Sequence, residues 1–216
     1  MQRVTHDGER WSNADRDRVD LVEYDPHWPT VFEAEADRIR SALGSTVVFT
    51  LEHFGSTAIP GLAAKPIIDI MLIVPAEAQW ADLIEPIQGL GYVFWADNPR
   101  RDRMFFVKGM PPFGERRSHH IHVRTPLDAE ASIAFRDYLR THPEDATRYA
   151  ALKRELAERF LTDRDAYTDA KASLSTRSFA KRWRRSRRRP TGRLSGPTAT
   201  RFLLPDLASA GRSAQR

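Results

Sequence analysis

The sequence predicts an α/β domain of the α+β kind: a small mixed β-sheet with flanking helices, followed by a C-terminal helical layer. Three observations carry this expectation. Val47–Phe54 and Ile67–Val74 are rich in β-branched and apolar residues, as strands buried on at least one face should be. Tyr92–Ala96, Arg103–Lys108 and His119–Arg124 are further short runs of strand composition, separated by Asp97-Asn98-Pro99 and by the Gly- and Pro-rich loop 109–117. From Asp128 onward the apolar spacing becomes helical, and elements of both kinds in one chain of this length make a mixed layered domain.

Taken in order, residues 1–18 are polar with interleaved charges and predict a disordered arm, and 19–180 predict the folded domain. Val19–Glu23 reads as a short strand or an extended lead-in. Asp25-Pro26-His27-Trp28-Pro29 is turn chemistry with Pro placed to open a helix. Trp28, Phe32, Glu35, Ile39 and Leu43 then fall on one face of an amphipathic helix that Gly44 can end. After the first strand pair, a helix is expected over 77–90, closed by Gly89 or Gly91. Helices follow at 131–141, from Pro143 to Phe160 with Tyr149, Leu152 and Leu156 on one stripe, and from Asp163 to about residue 173.

Composition excludes several kinds of function. The chain of 216 residues has no Cys, so disulfides, thiolate metal sites and cysteine nucleophiles are absent. No apolar run approaches the roughly 20 residues needed to span a bilayer, and a cytoplasmic protein without a membrane partner is the expectation. The net charge of +5 is unevenly placed: residues 181–216 hold ten net positive charges, which leaves 1–180 at −5. The Arg-rich stretch around Trp183 predicts a basic disordered tail, with at most non-specific, salt-dependent binding to nucleic acid.

The chemistry is concentrated between the first two strands. Gly55-Ser56-Thr57 leaves the first without crowding a ligand, and amides following it can face an anion if Thr57–Ala64 opens as a helical turn. Asp69 lies inside the second apolar strand, where a carboxylate is costly unless it is paired, hydrogen-bonded or on a metal. His120 and His122 alternate with Ile121, so both imidazoles project from one face of their strand. If that strand lies beside the one carrying Asp69, the three groups form a two-His, one-carboxylate set. Only one of Glu52 and His53 can share that surface. Lys65, Arg103 and Lys108 are candidate phosphate counter-charges.

The run Glu52-His53-Phe54-Gly55-Ser56-Thr57-Ala58-Ile59-Pro60-Gly61-Leu62, continuing into Lys65-Pro66-Ile67-Ile68-Asp69-Ile70, closely resembles the GrpB family of the nucleotidyltransferase (polymerase-β type) superfamily. The resemblance extends through Glu23-Tyr24-Asp25-Pro26-His27-Trp28-Pro29, Arg103–Gly109, His119–Val123, Phe135–Arg140, Tyr149–Leu156, and Tyr167 with Lys171. It implies a nucleotidyltransferase-like fold over roughly residues 20–172. It also implies a nucleoside triphosphate or related phosphorylated ligand and, because the family occurs fused to dephospho-CoA kinase, a link to coenzyme A metabolism.

On this reading Gly55, Ser56 and Thr57 cradle phosphate with help from Lys65, Arg103 and Lys108, and Asp69 holds a divalent metal. His120 and His122 complete the metal's coordination or act as acid and base. Mg²⁺ or Mn²⁺ suits a carboxylate with phosphates, whereas two imidazoles favour Zn²⁺, Mn²⁺ or Fe²⁺. Active nucleotidyltransferases generally carry a second acid two residues after the first, and this chain has Met71 there. Nucleotidyl transfer to an unknown acceptor is therefore the leading expectation. A non-catalytic ligand-binding module and a metal-dependent hydrolase using the Asp/His/His set are the alternatives.

Overall fold

The computed structural model describes residues 18–172, apart from 46, 76, 99–102, 111–113 and 115, with the backbone alone at 77 and 78. The expected arm, apart from Arg18, and the basic tail lie outside the described residues.

Five strands form one mixed sheet: β1 (Thr50–Phe54), β2 (Ile68–Ile73), β3 (Tyr92–Phe94), β4 (Met104–Lys108) and β5 (His119–Arg124), in the order β1-β2-β5-β4-β3. β2 and β5 are parallel neighbours, and every other pairing is antiparallel. The β3–β4 ribbon thus sits on the far side of β5, and the chain returns through β5 to the middle of the sheet. That return brings the His-rich strand beside the Asp69 strand.

Because side chains alternate across a strand, register assigns each residue to a face. Ile68, Ile70 and Leu72 of β2, Ile121 and Val123 of β5 and Phe106 of β4 share one face and the main apolar core. Helix α1 (Trp28–Leu43) covers them, with Ala36 and Ile39 fully buried. It forms for the reasons legible in the sequence. Pro29 lies in the first turn, Asp25 Oδ1 accepts from the His27 N–H at 2.8 Å just before it, and Gly44 ends it at φ 54°. The opposite face carries Glu52, Phe54, Asp69, Met71, Phe105, His120 and His122.

Helices α3 (Pro126–Thr141) and α4 (Pro143–Arg159) make the C-terminal layer. α3 begins five residues earlier than its apolar spacing predicts, because Thr125 accepts the Asp128 N–H at 3.3 Å as an N-cap and Pro126 opens the first turn. Arg136 of α3 reaches β1, donating to Glu52 and to the His53 carbonyl, each at 2.7 Å. Ile59 and Leu62 pack against Leu139 and Tyr149, joining the loop after Gly55 to this layer. A last helical stretch, 164–172, begins where Asp163 Oδ1 accepts the Ala166 N–H at 2.9 Å.

Two local expectations need correction. The helix expected over 77–90 is a 3₁₀ stretch, Glu77–Leu83, followed by the short α2 (Ile84–Gln88), with Pro86 inside it. Pro lacks the donor that a longer regular helix would need there. β1 starts at Thr50 rather than Val47, since Val47 turns into the core and Val48 is 75% exposed. The Val19–Glu23 segment contributes one bridge, between Val22 and Ala64.

Candidate metal and phosphate site

Gly55 ends β1 at φ 75°, a backbone conformation that L side chains rarely adopt. A Cβ there would collide with Oδ2 of Asp69 and sit 3.1 Å from its Cβ and Cγ. The glycine therefore lets the chain turn directly over the carboxylate. The turn that follows is a single 3₁₀ turn, Ser56–Ala58, rather than the helical opening expected over Thr57–Ala64. So short a turn offers no helix N-terminus to an anion.

Parallel pairing of β2 with β5 sets Asp69 opposite His120 and Met71 opposite His122. Asp69 Oδ1 lies 3.0 Å from His120 Nδ1 and 3.7 Å from His122 Nε2. Around a tetrahedral ion with bonds near 2.1 Å, ligand atoms stand about 3.4 Å apart, so these separations bracket what a shared ion requires. One ligand atom from each of the three residues can be chosen so that all lie within 4.8 Å of one another. His120 Nε2 and both ring nitrogens of His122 are buried without a hydrogen-bond partner. Leaving such groups unsatisfied is costly, and coordination would satisfy them.

The charge states suit ligation. Burial pushes His120 down to about 3 and lowers His122, with the Asp69 charge only partly opposing it, so both imidazoles are neutral near pH 7. Burial resists ionisation of Asp69, but the hydrogen bond from His120 and the nearness of the His122 imidazole together outweigh it. Its carboxyl is held well below the usual carboxylate range. Neutral imidazoles beside a carboxylate are the forms in which these residues bind metals. Aromatic walls complete the setting, with Phe105 4.7 Å and Phe54 4.9 Å from the His122 ring.

The triad opens into a cavity of about 520 Å³, within the range of small-molecule sites. Gly55, Ser56, Thr57, Lys65 and Arg103 line it together with Asp69, His120 and His122. So do Trp95 and Arg117, and Lys153, Tyr167 and Lys171 from the C-terminal helices.

A model of the family described as GrpB protein matches residues 18–181. The chain belongs to the GrpB family. It is 53% identical to a UPF0157 protein of Pseudomonas aeruginosa over 79% of this chain and 70% of that one. The crystal structure of conserved protein GrpB from Enterococcus faecalis has the same fold. The two align with a TM-score of 0.62 at 31% identity, covering 77% of this chain and 96% of the other. A protein of Mycolicibacterium paratuberculosis named dephospho-CoA kinase is 29% identical over 76% of this chain, and the match spans 46% of that protein.

Within this GrpB fold, one predicted site residue lies elsewhere. Lys108 is opposite His119 in the register and on the α1 side of the sheet, where its Nζ donates to Glu35 at 2.6 Å. Strand alternation puts it on the other face from Asp69, so it cannot serve as a counter-charge in this cavity. Thr57 touches the cavity but is 1% exposed; its hydroxyl donates to the Ile67 carbonyl at 3.3 Å and lies 3.0 Å from His53 Nε2. Its part is to hold the turn. His53 is on the core face, stacked on Phe32, whereas Glu52 shares the face of Asp69 and is held by Arg136. Met71, at the second-acid position, is fully buried on that same face, and the His122 imidazole stands beside it from the neighbouring strand.

Sequence reasoning missed Trp95, Arg117 and Lys153 as lining residues. The period-2 alternation that places Phe105 beside His122 was available as a signal for the aromatic wall. Nothing local to residues 153 or 117 could show that they reach this cavity.

Proposed function

We propose that the cavity binds a nucleoside triphosphate or a related phosphorylated small molecule together with a divalent metal ion on Asp69, His120 and His122, and that its chemistry is nucleotidyl transfer. The observation that carries this reading is a pair of buried imidazoles, three of whose four ring nitrogens lack a hydrogen-bond partner, beside an ionised carboxylate in a cavity also lined by Lys65, Arg103 and Arg117. The donor set favours Mn²⁺ or Zn²⁺ over Mg²⁺, since imidazole suits transition metals. A bound ion would supply Lewis-acid stabilisation of phosphoryl oxygens.

The chain's own groups do the positioning. Gly55 keeps the approach to Asp69 free of a side chain, and Ser56, whose hydroxyl is tied to Tyr149, lines the ligand space. Lys65 and Arg103 draw phosphate oxygens from the two sides of the triad, while Phe54 and Phe105 exclude water from the imidazoles. A cytoplasmic location and a substrate connected with coenzyme A belong to the same reading. The second rests on the similarity to a protein named dephospho-CoA kinase.

A second reading, a metal-dependent hydrolase, is favoured by one observation. Asp69, His120 and His122 make a two-His, one-carboxylate set suited to a single transition-metal ion, with no need of a nucleotide donor.

Thermal melting with a panel of nucleotides and divalent ions tests both readings. A ligand at 100 times its Kd adds about 2.7 kcal/mol, enough for a clear shift. Stabilisation by a nucleoside triphosphate with Mn²⁺, lost in Asp69→Asn, supports the nucleotidyltransferase reading. Stabilisation by Zn²⁺ or Mn²⁺ with no further effect of any nucleotide moves the assignment to the hydrolase. No shift with any metal overturns the metal site.

A further inference from the structure

Along the strand direction, the cavity extends away from the triad on two sides. Arg103 stands just before β4, on the His122 side, since Phe105 is the register partner of His122. Lys65 stands three residues before β2, and Arg117 two before β5, on the His120 side, where these parallel strands begin. The helical stretch 164–172 adds Tyr167 and Lys171 to the cavity lining.

Lys65 Nζ lies 4.9 Å from the centre of the Tyr167 ring, and Lys171 Nζ lies 5.8 Å from it. Tyr167 itself is 1% exposed, so the ring that both cations flank is fixed. Neither ammonium makes a hydrogen bond or ion pair among the described residues, although both line the cavity. Asp165 and Asp169, from the same helical stretch, each have interactions of their own. A half-buried Lys without a carboxylate is unusual, because desolvating a charge is costly unless it is compensated. The π-face of a tyrosine offsets only part of that cost. Burial, and then the charges of Arg164 and Lys171, hold the Lys65 ammonium well below its ordinary pKa, which marks it as short of negative charge.

We propose that Lys65 and Lys171, both held beside the Tyr167 ring, form a second anion subsite that anchors the terminal phosphate of a di- or triphosphate ligand. This inference rests on the reading of the cavity as a phosphate site and gives its ligand a direction. The polyphosphate tail runs from the triad toward β2's start and the 164–172 stretch, and the organic part of the ligand lies toward Trp95 and Phe105. A monophosphate fills one subsite only, so the cavity selects for polyphosphates.

Inorganic pyrophosphate titrated into the full chain after metal removal with a chelator reads the subsite without the metal. The expected result is calorimetric binding of pyrophosphate, weakened about tenfold or more by Lys65→Gln and by Lys171→Gln. Lys65→Arg should retain binding, and Arg159→Gln, an exposed change elsewhere on α4, should leave it unaltered. Matching melting temperatures show that the variants are folded. Absence of pyrophosphate binding, or unchanged affinity in both lysine variants, overturns the subsite. Pyrophosphate binding that survives while no metal binds leaves the subsite standing and removes the metal reading, so the two failures are distinguishable.

Discussion

Gly55 and Asp69 are in contact across the β1–β2 turn: Oδ2 of the carboxylate occupies the space that a side chain at residue 55 would need. Gly55→Ala should therefore act twice. The positive φ is strained for alanine, at a cost of about 1–3 kcal/mol, and the methyl group pushes Asp69 off His120. Chemical denaturation would show that loss of stability, and isothermal titration with Zn²⁺ would show weakened binding. Zinc affinity equal to wild type would mean that the close approach is incidental.

Arg136 is 7% exposed and holds Glu52, the His53 carbonyl and Asp137 at once. Arg136→Met removes the tie between α3 and the strand that delivers Gly55. The partner Glu52 is 41% exposed and can turn to water, so the expected cost is about 2 kcal/mol, below that of breaking a fully buried pair. A denaturation midpoint unchanged from wild type would assign the link no weight in the fold.

His53 is 7% exposed, and its burial lowers it from 6.5 to about 4. Between those values the unfolded chain takes up a proton that the native state refuses. Stability is therefore complete above pH 6.5 and falls as the pH drops toward 4, by up to about 3 kcal/mol from this group. His53→Phe keeps the stack on Phe32 and should lessen the pH dependence of unfolding between 6.5 and 4, leaving the share of His120 and His122. An unaltered acid limb would place the sensitivity elsewhere.

Lys153 is 1% exposed, donates to the Ala63 carbonyl, and is lowered by burial from 10.5 to about 7. Here too the unfolded state holds the extra proton, now between pH 7 and 10.5. The penalty is full below pH 7 and is relieved as the pH rises, so stability climbs on the alkaline side by up to about 5 kcal/mol from this residue. Urea midpoints at pH 6.5 and 9.5 should differ in the wild type and lie closer together in Lys153→Met, where the contribution of Lys65 remains. Equal slopes in the two proteins would refute the assignment.

The sequence by itself determined the class of the fold and the short set of residues from which its site is made. β-branched runs, Pro29 and Gly44 around α1, and the Asp163 cap are local signals. Their elements form where the residues predict because backbone preference and apolar period agree there. Alternation told that His120 and His122 share a face, and the positive φ at Gly55 is the conformation for which glycine is the fitted residue.

Only the tertiary structure decided which strands are neighbours. β2 and β5 are separated in sequence by a 3₁₀ stretch, α2 and the β3–β4 ribbon, and their parallel pairing is what closes the distance from Asp69 to both imidazoles. The same register sent Lys108 to Glu35 on the opposite face, although its distance from the motif in sequence gives no hint of this. The cationic end of the cavity is likewise assembled from Lys65 and a helical stretch a hundred residues later, brought together by packing. Local interactions act within a few residues and are written in the chain. Long-range adjacency depends on how the whole core closes, and no short stretch of sequence encodes it.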